Sequence, residues 1–332
     1  MDIIIKSFNR VYYLDRCLHS IFLYLQNFKG EIYILDDGSP QIYLDKIQLK
    51  FPGIVILKSP NYEEKSKAIL DKTFNFPSTI PSKFWYESVL DLSDYFMVLE
   101  DDMWFTENCD VSELNDICKN ENLALLKLFW VSNPKTVGSN IVKRNRGIEV
   151  YNPDLKSRSP KFFKYIYMKY NPIWRGILSL FRLYTKESEL QYYTIYSVAG
   201  AVFKKDYYLS IWDDAYAIVD EKQQLLNAVQ YYNKFNVAFA KVNKEVLKTG
   251  FMSSATLKYH YPDFSILDFN CMLNEYWLRN DNAFNNNLSL DLDTNEIINI
   301  LHSYDKPEAY ILQWLDWVNS FKAQFRKIGC NI

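Results

Sequence analysis

With 332 residues, 48% of them apolar and 23% charged, the chain can bury a substantial core as one large domain or two small ones, and its composition is not that of a disordered protein. A net charge of −2 supplies no global field to recruit nucleic acid, so no nucleic-acid partner is expected. The five cysteines (Cys17, Cys109, Cys118, Cys271, Cys330) are scattered and form no CxxC pair, which argues against a disulfide framework or a zinc site and fits a reducing, cytoplasmic compartment.

The chain opens with Ile3-Ile4-Ile5, a continuously apolar, β-branched run that predicts a buried parallel strand. The run is too short for a signal-peptide core, and no later stretch reaches the roughly 20 apolar residues of a membrane span. The expected location is therefore cytoplasmic, at most on the inner face of the membrane. Leu14, Leu18, Ile21, Phe22 and Leu25 then recur at helical spacing and predict an amphipathic helix over residues 11–27, closed by Gly30 as a C-terminal cap. A second strand, Ile32–Leu35, stops at Asp36-Asp37-Gly38-Ser39-Pro40 and completes a βαβ unit.

A helix over 41–51, a strand at Ile54–Leu57 and a charged helix and loop over 61–75 follow. After the turn Pro77–Pro81, a further helix leads to the strand Tyr95–Leu99, which runs straight into Glu100-Asp101-Asp102. Strands are predicted at Leu123–Phe129, Val198–Phe203 and Val237–Lys241, with a helix over Val219–Phe235 before the last. Near the end, Asp305 as cap, Pro307 in the first turn and Glu308 three positions on predict a terminal helix with Ile311, Leu315, Val318 and Phe325 on one face. The expected organisation is a catalytic domain over 1–262 and a helical extension over 263–332.

Both acidic groups stand at carboxyl ends of apolar strands, the edge where open parallel sheets bind ligands. Three consecutive carboxylates at a strand mouth cost self-repulsion and desolvation, which a bound divalent cation offsets. Mg²⁺ or Mn²⁺ takes hard oxygen ligands, often only one or two from protein, and would neutralise a departing diphosphate. A solvated turn is the plain alternative for either group alone, and Asp36-Asp37-Gly38-Ser39 is a good turn sequence.

Ile3–Arg10 (IIIKSFNR), Ile34–Ser39 (ILDDGS) and Val98–Met103 (VLEDDM) resemble the three donor-site segments of GT-A fold glycosyltransferases, especially of the family 2 type. The EDD form of the third segment also resembles the N-acetylglucosaminyltransferase I family. The likeness is concentrated in residues 1–105. It implies a Rossmann-like α/β sheet and a nucleoside-diphosphate sugar donor, a UDP-sugar being favoured. By this resemblance Ser7 and Asn9 lie beside the nucleotide, and in the segment Asp36-Asp37-Gly38 it is Asp37 that accepts from the base imide. Asp101 would approach the ribose or sugar with Glu100 ahead of it, Asp102 would bind Mn²⁺ or Mg²⁺, and Arg10 would meet phosphate. The stretch Ser59–Lys72 lacks the glycine that family members carry over the donor. There Lys65 and Lys67 read either as a solvated helix face or as point charges toward the diphosphate.

For inverting transfer a carboxylate must deprotonate the acceptor hydroxyl. The family places an acidic pair at a helix start after a glycine-containing strand, and Val198–Val202 followed by Asp220-Glu221 matches that order. By the resemblance Glu221 matches the family's catalytic position, as Glu where Asp is usual, with Asp220 beside it, and Asp213-Asp214 competes but reads as a helix-ending turn. Some GT-A enzymes recruit a late histidine to the metal, which singles out His260; a packed or surface role is its alternative, while His19 and His302 sit in helices.

Between Lys143 and Lys186 there are eleven Lys/Arg and two acids, Glu149 and Asp154. Phe162, Phe163, Tyr165, Tyr167, Tyr170, Trp174, Leu178 and Phe181 interleave with Lys161, Lys164, Lys169, Arg175 and Arg182. Residues 160–186 thus read either as an interfacial segment meeting anionic lipid or as a helix packed on the sheet with a cationic rim. The expected function is metal-dependent sugar transfer to a glycan or lipid-linked acceptor. The rivals are a sugar nucleotidyltransferase, which needs a Gly-rich basic loop that Lys6–Arg10 is not, and a non-enzymatic membrane-surface scaffold.

Overall fold

The computed structural model describes every residue except 78, 169–171, 182–183, 186, 214–218, 257–258 and 282, and of Pro172 and Arg175 only the backbone. In chain order its strands are β1 (Asp2–Ser7), β2 (Leu25–Gln26), β3 (Ile32–Asp36), β4 (Val55–Lys58), β5 (Tyr95–Glu100), β6 (Met103–Phe105), β7 (Cys109–Asp110), β8 (Leu123–Lys127), β9 (Asn140–Asn145), β10 (Ile148–Asn152), β11 (Ala201–Lys204), β12 (Ala238–Val242) and β13 (Leu247–Thr249). Among the described residues nine of them form one sheet in the order β4-β3-β1-β5-β11-β8-β12-β10-β9. Its strands β4, β3, β1 and β5 are parallel neighbours, and β11 and β10 run against the rest. The protein is thus an α/β fold with a large, mostly parallel central sheet flanked by helices, as expected.

Register makes the site. Ile3–Ile5 are fully buried because β1 lies between β3 and β5. Ser7 pairs with Asp36 on one side, and Lys6 pairs with Glu100 on the other. The carboxyl ends of β3, β1 and β5 therefore open side by side, and the acidic residues that follow them emerge along one sheet edge.

Several details differ from expectation. The first helix runs Val11–Tyr24, and Leu25 turns extended to start β2. Gly30 therefore caps nothing; a Cβ there would overlap the Met1 carbonyl, so the residue is small for close approach of two backbones. This helix is also buried on nearly every side, Asp15 and Arg16 included. Residues after 263 explain that. The helix Ile266–Arg279 packs against it, Thr294–Ser303 packs on that helix, and one apolar core runs from Ile3 through Trp314 and Trp317 of the terminal helix Glu308–Lys327. Arg16 donates to the carbonyls of Phe284, Asn287 and Leu290, which closes the covering segment with backbone acceptors.

The terminal helix begins at Glu308 with Pro307 at its cap position and no side-chain cap, while Asp305 has φ 54° two residues earlier. Asp305 is thus a turn residue. The hairpin of β9 and β10 went unpredicted; its Arg146-Gly147 turn holds both residues at positive φ, the geometry that two-residue hairpins favour. β6 pairs with β13, and Gly250 N–H donates to the Asp102 carbonyl at 2.7 Å, so the segment after β13 comes to the acidic strand end.

Candidate active site

The β3 exit divides its two carboxylates by task. Asp36 is fully buried and accepts from the backbone of Gly38 and Ser39 at 2.9 and 2.7 Å, and from Ser39 Oγ at 2.7 Å. Burial pushes its carboxyl upward, against these hydrogen bonds. Asp36 is spent inside the turn, not presented to a ligand. Gly38, at φ 137°, lets the helix Tyr62–Leu70 approach; an added Cβ would stand 2.5 Å from Lys65 Cβ. Asp37, also buried, accepts from outside the turn, from Ser59 Oγ and Lys65 Nζ, both at 2.6 Å.

Lys65 corrects the sequence reading. It is buried, not solvated, and binds Asp37 and the Thr79 carbonyl. Lys67 is exposed, as expected of a helix surface. Burial raises the Asp37 carboxyl while Lys65 and Ser59 pull it down.

The β5 exit is a charge cluster. The Arg10 guanidinium donates to Asp102 Oδ2 at 2.7 Å and to Asp101 Oδ1, with all three side chains largely buried. Asp101 Oδ2 accepts from Phe8 N–H at 3.2 Å. The Phe8 ring lies under Lys65 Nζ at 5.4 Å, so Phe8 joins the two acidic centres. One N–H from each terminal nitrogen of Arg10, the residue the resemblance turns toward phosphate, goes to these aspartates, and its Nε is buried without a hydrogen-bond partner. Glu100 is half-buried, and its carboxyl is raised by burial first and by Asp102 next, with Lys6 opposing. Lys6 itself is buried over the Trp85 ring, which pushes its amine down to about 8.

Ser7 is buried at the end of β1. Asn9 does not lie open beside a ligand. It is fully buried at φ 51°, donates its backbone N–H to Ser39 Oγ, and accepts at Oδ1 from Asn274 Nδ2 at 2.9 Å. Asn274 Oδ1 in turn accepts from Val11 N–H. Asn9 therefore welds the β1 turn to the C-terminal helices, a partnership 265 residues apart in sequence.

A cavity of about 530 Å³ opens beside the β5 exit. Glu100, Asp102 and Glu221 line it, with Lys127, Trp130 and Phe325 on its walls. Asp36 and Asp37 are not among its lining residues. Of the Asp220-Glu221 pair, Asp220 is the helix cap, accepting from the backbone of Lys222 and Gln223. Glu221 is exposed to the cavity and accepts from Tyr193 Oη at 2.7 Å. Asp213 ends the helix Lys205–Trp212, as expected of the competing pair, while Asp214 lies outside the described residues.

The aromatic wall was missed from sequence. Trp130 sits at φ 52° between Phe129 and Phe325, with ring centroids 4.5 and 5.4 Å away. A non-glycine residue in this region stores backbone strain, and such strain gathers at ligand sites. Gly200, at φ 67°, keeps room for the Phe129 ring.

Lys127 is buried on the same wall, donates to the carbonyls of Thr136 and Tyr193, and is pushed by burial down to about 7 from its ordinary 10.5. Because folding depresses this pKa, its contribution to stability is complete above pH 10.5 and is lost as pH falls toward 7. The native chain is expected to gain up to about 1.4 kcal/mol per pH unit relative to Lys127→Met between those limits. Urea melts at pH 7 and pH 9 check this, and equal gains in both proteins would refute it.

Fitness for a divalent cation rests on Asp102. Its Oδ1 is buried without a hydrogen-bond partner, and the residue lines the cavity. A hard oxygen in that setting suits Mg²⁺ or Mn²⁺. Among the described residues no group of three or more His, Cys, Asp or Glu side chains could form an all-protein cage. His260 is exposed and joins no such group.

No protein-family model and no curated protein matches the chain. Solved structures do resemble it. S. aureus TarS superposes at a TM-score of 0.39 with 12% identity over 91% of this chain, which spans 42% of the TarS chain. TarS 1-349 in complex with UDP-GlcNAc gives 0.39 and 14% over 91% of this chain and 70% of that one. The galactosyltransferase LgtC with donor and acceptor sugar analogs gives 0.34 and 12%, covering 69% of this chain and 70% of that one. With TM-scores below 0.5, these are loose likenesses.

Proposed function

We propose that the chain is a nucleotide-sugar-dependent glycosyltransferase. The observation that carries this is the side-by-side opening of β3, β1 and β5, whose exits carry Asp37, Glu100, Asp101 and Asp102, with Glu100 and Asp102 lining a cavity that also carries Glu221. The resemblance of the same three segments to GT-A donor motifs favours a UDP-sugar. Asp37 is the residue to receive the base, and its ion pair with Lys65 fixes its orientation. Asp101, held by Arg10 and Phe8 N–H, positions the loop from which Asp102 and Glu100 reach the cavity.

In the proposed reaction Glu221 takes the proton of an acceptor hydroxyl. The oxygen then forms a bond to the anomeric carbon as the carbon–phosphate-oxygen bond breaks, with inversion. Tyr193 donates to Glu221 and holds its carboxylate toward the cavity. Asp102 and Glu100 would hold Mg²⁺ or Mn²⁺, which when bound supplies charge neutralisation to the leaving diphosphate. The aromatic wall suits the apolar face of a sugar, so the acceptor is a glycan or glycolipid.

Calorimetry with a panel of nucleoside diphosphates, with and without Mn²⁺, tests the reading. Expected is binding of at least one diphosphate that Mn²⁺ strengthens, followed by hydrolysis of the matching nucleotide sugar. Absence of binding to every diphosphate in both conditions would overturn it. Release of pyrophosphate from a nucleoside triphosphate and a sugar phosphate would point to nucleotidyl transfer instead.

A further inference from the structure

The basic aromatic segment divides in two. Phe163, Ile166 and Tyr167 are buried, and Lys222 Nζ donates to the Tyr167 carbonyl at 3.0 Å. This first half is packed against the helix that Glu221 begins. The second half is different. In the helix Pro172–Leu180 and the residue after it, Ile173, Trp174, Ile177, Leu180 and Phe181 are between 42% and 81% exposed. At 100° per residue these five positions fall in a stripe about 120° wide, the arc of a buried helix face, yet here it is turned to solvent.

Nine helical residues extend about 14 Å, less than half of the roughly 30 Å hydrocarbon core. Among the described residues no helix is long and apolar enough to cross a membrane. An apolar stripe of this length can be covered only by something lying along it. Charge says what. Residues 160–186 carry six Lys/Arg and no Asp or Glu, in a chain of net charge −2, and Lys161 and Lys164, ahead of the stripe in sequence, are exposed. A second copy docking stripe to stripe would bring two such cationic segments together. An anionic lipid surface supplies both the apolar layer and the counter-charge.

We propose that the face formed by Ile173, Trp174, Ile177, Leu180 and Phe181 lies in the interface of an anionic membrane, parallel to its plane, with Lys161 and Lys164 at the headgroups. The lipid contact stands independently of sugar transfer. Where both hold, a lipid-linked acceptor would share the membrane surface that the protein occupies.

The test is sedimentation of the full chain with large unilamellar vesicles at low ionic strength. Vesicles of equal parts phosphatidylcholine and phosphatidylglycerol should bind at least about tenfold more tightly than phosphatidylcholine alone. The variant I173S/I177S/L180S should lose at least about tenfold of that binding, with Tm and nucleotide affinity unchanged. K161E/K164E should lose the preference for anionic vesicles, and it keeps the test valid if the serine variant folds poorly. Equal sedimentation of native and variant chains would overturn the proposal, as would failure of the native chain to bind. So would a dimer in ultracentrifugation that I173S/I177S/L180S dissolves.

Discussion

Asp102→Asn is expected to lower donor turnover on the order of a thousandfold while the chain stays folded. Asparagine keeps the side-chain volume and an oxygen for the Arg10 N–H that now bonds Asp102 Oδ2 at 2.7 Å. What it removes is the charge on the one residue of the β5 exit that combines a buried, unpartnered oxygen with a place on the cavity wall. Loss of a single preorganised charge-stabilising group costs about 10²–10³ in rate, and loss of a divalent cation's anchor more. The measurement is nucleotide-sugar hydrolysis with Mn²⁺, paired with calorimetry of the nucleoside diphosphate. The Mn²⁺-linked part of the binding should vanish in Asp102→Asn. Full turnover with undiminished Mn²⁺ linkage would remove Asp102 from the site. The matching change at Asp36 should act differently, since both Asp36 oxygens accept within their own turn: Asp36→Asn loses stability before it loses catalysis.

That contrast marks where the sequence stops being informative. Strands β1, β3 and β5 were legible because continuous β-branched and apolar runs have few other places to go than a buried parallel sheet. The acidic residues at their ends were legible because charge at the mouth of a buried strand is costly. Which partners hold each carboxylate of a pair was not legible. Asp36 and Asp37 differ only in which neighbour they can reach, and Ser59 and Lys65 lie 22 and 28 residues away from Asp37. Asn9, which the GT-A resemblance sets beside the nucleotide, is held by Asn274, from a helix whose packing no local pattern reveals. Asp220 and Glu221 are the instructive middle case. A cap residue such as Asp220 is recognisable from position, whereas Glu221 is singled out by the GT-A resemblance alone. The aromatic cavity wall unites Trp130 with Phe325, and only the tertiary fold brings those together.

Arg10→Met is expected to be the most destabilising single change at the site, by about 3–5 kcal/mol, the usual cost of stripping one partner from a buried ion pair. Arg10 holds two carboxylates that are adjacent in sequence and almost closed to water. Without the guanidinium, Asp101 and Asp102 repel each other in a medium that screens weakly. Burial already drives the Asp101 carboxyl upward, and Arg10 is the strongest influence opposing it. Arg10→Lys should recover only part of the loss, because one ammonium cannot serve two carboxylates with a planar fork. The decisive arm is the double variant Arg10→Met/Asp101→Asn. If the deficit arises from an abandoned charge, removing one carboxylate should restore stability, and urea melts of the four proteins of the cycle would show a coupling of several kcal/mol. Additive losses would mean instead that Arg10 acts by filling space beside Tyr13, whose ring centroid lies 5.9 Å from the guanidinium carbon.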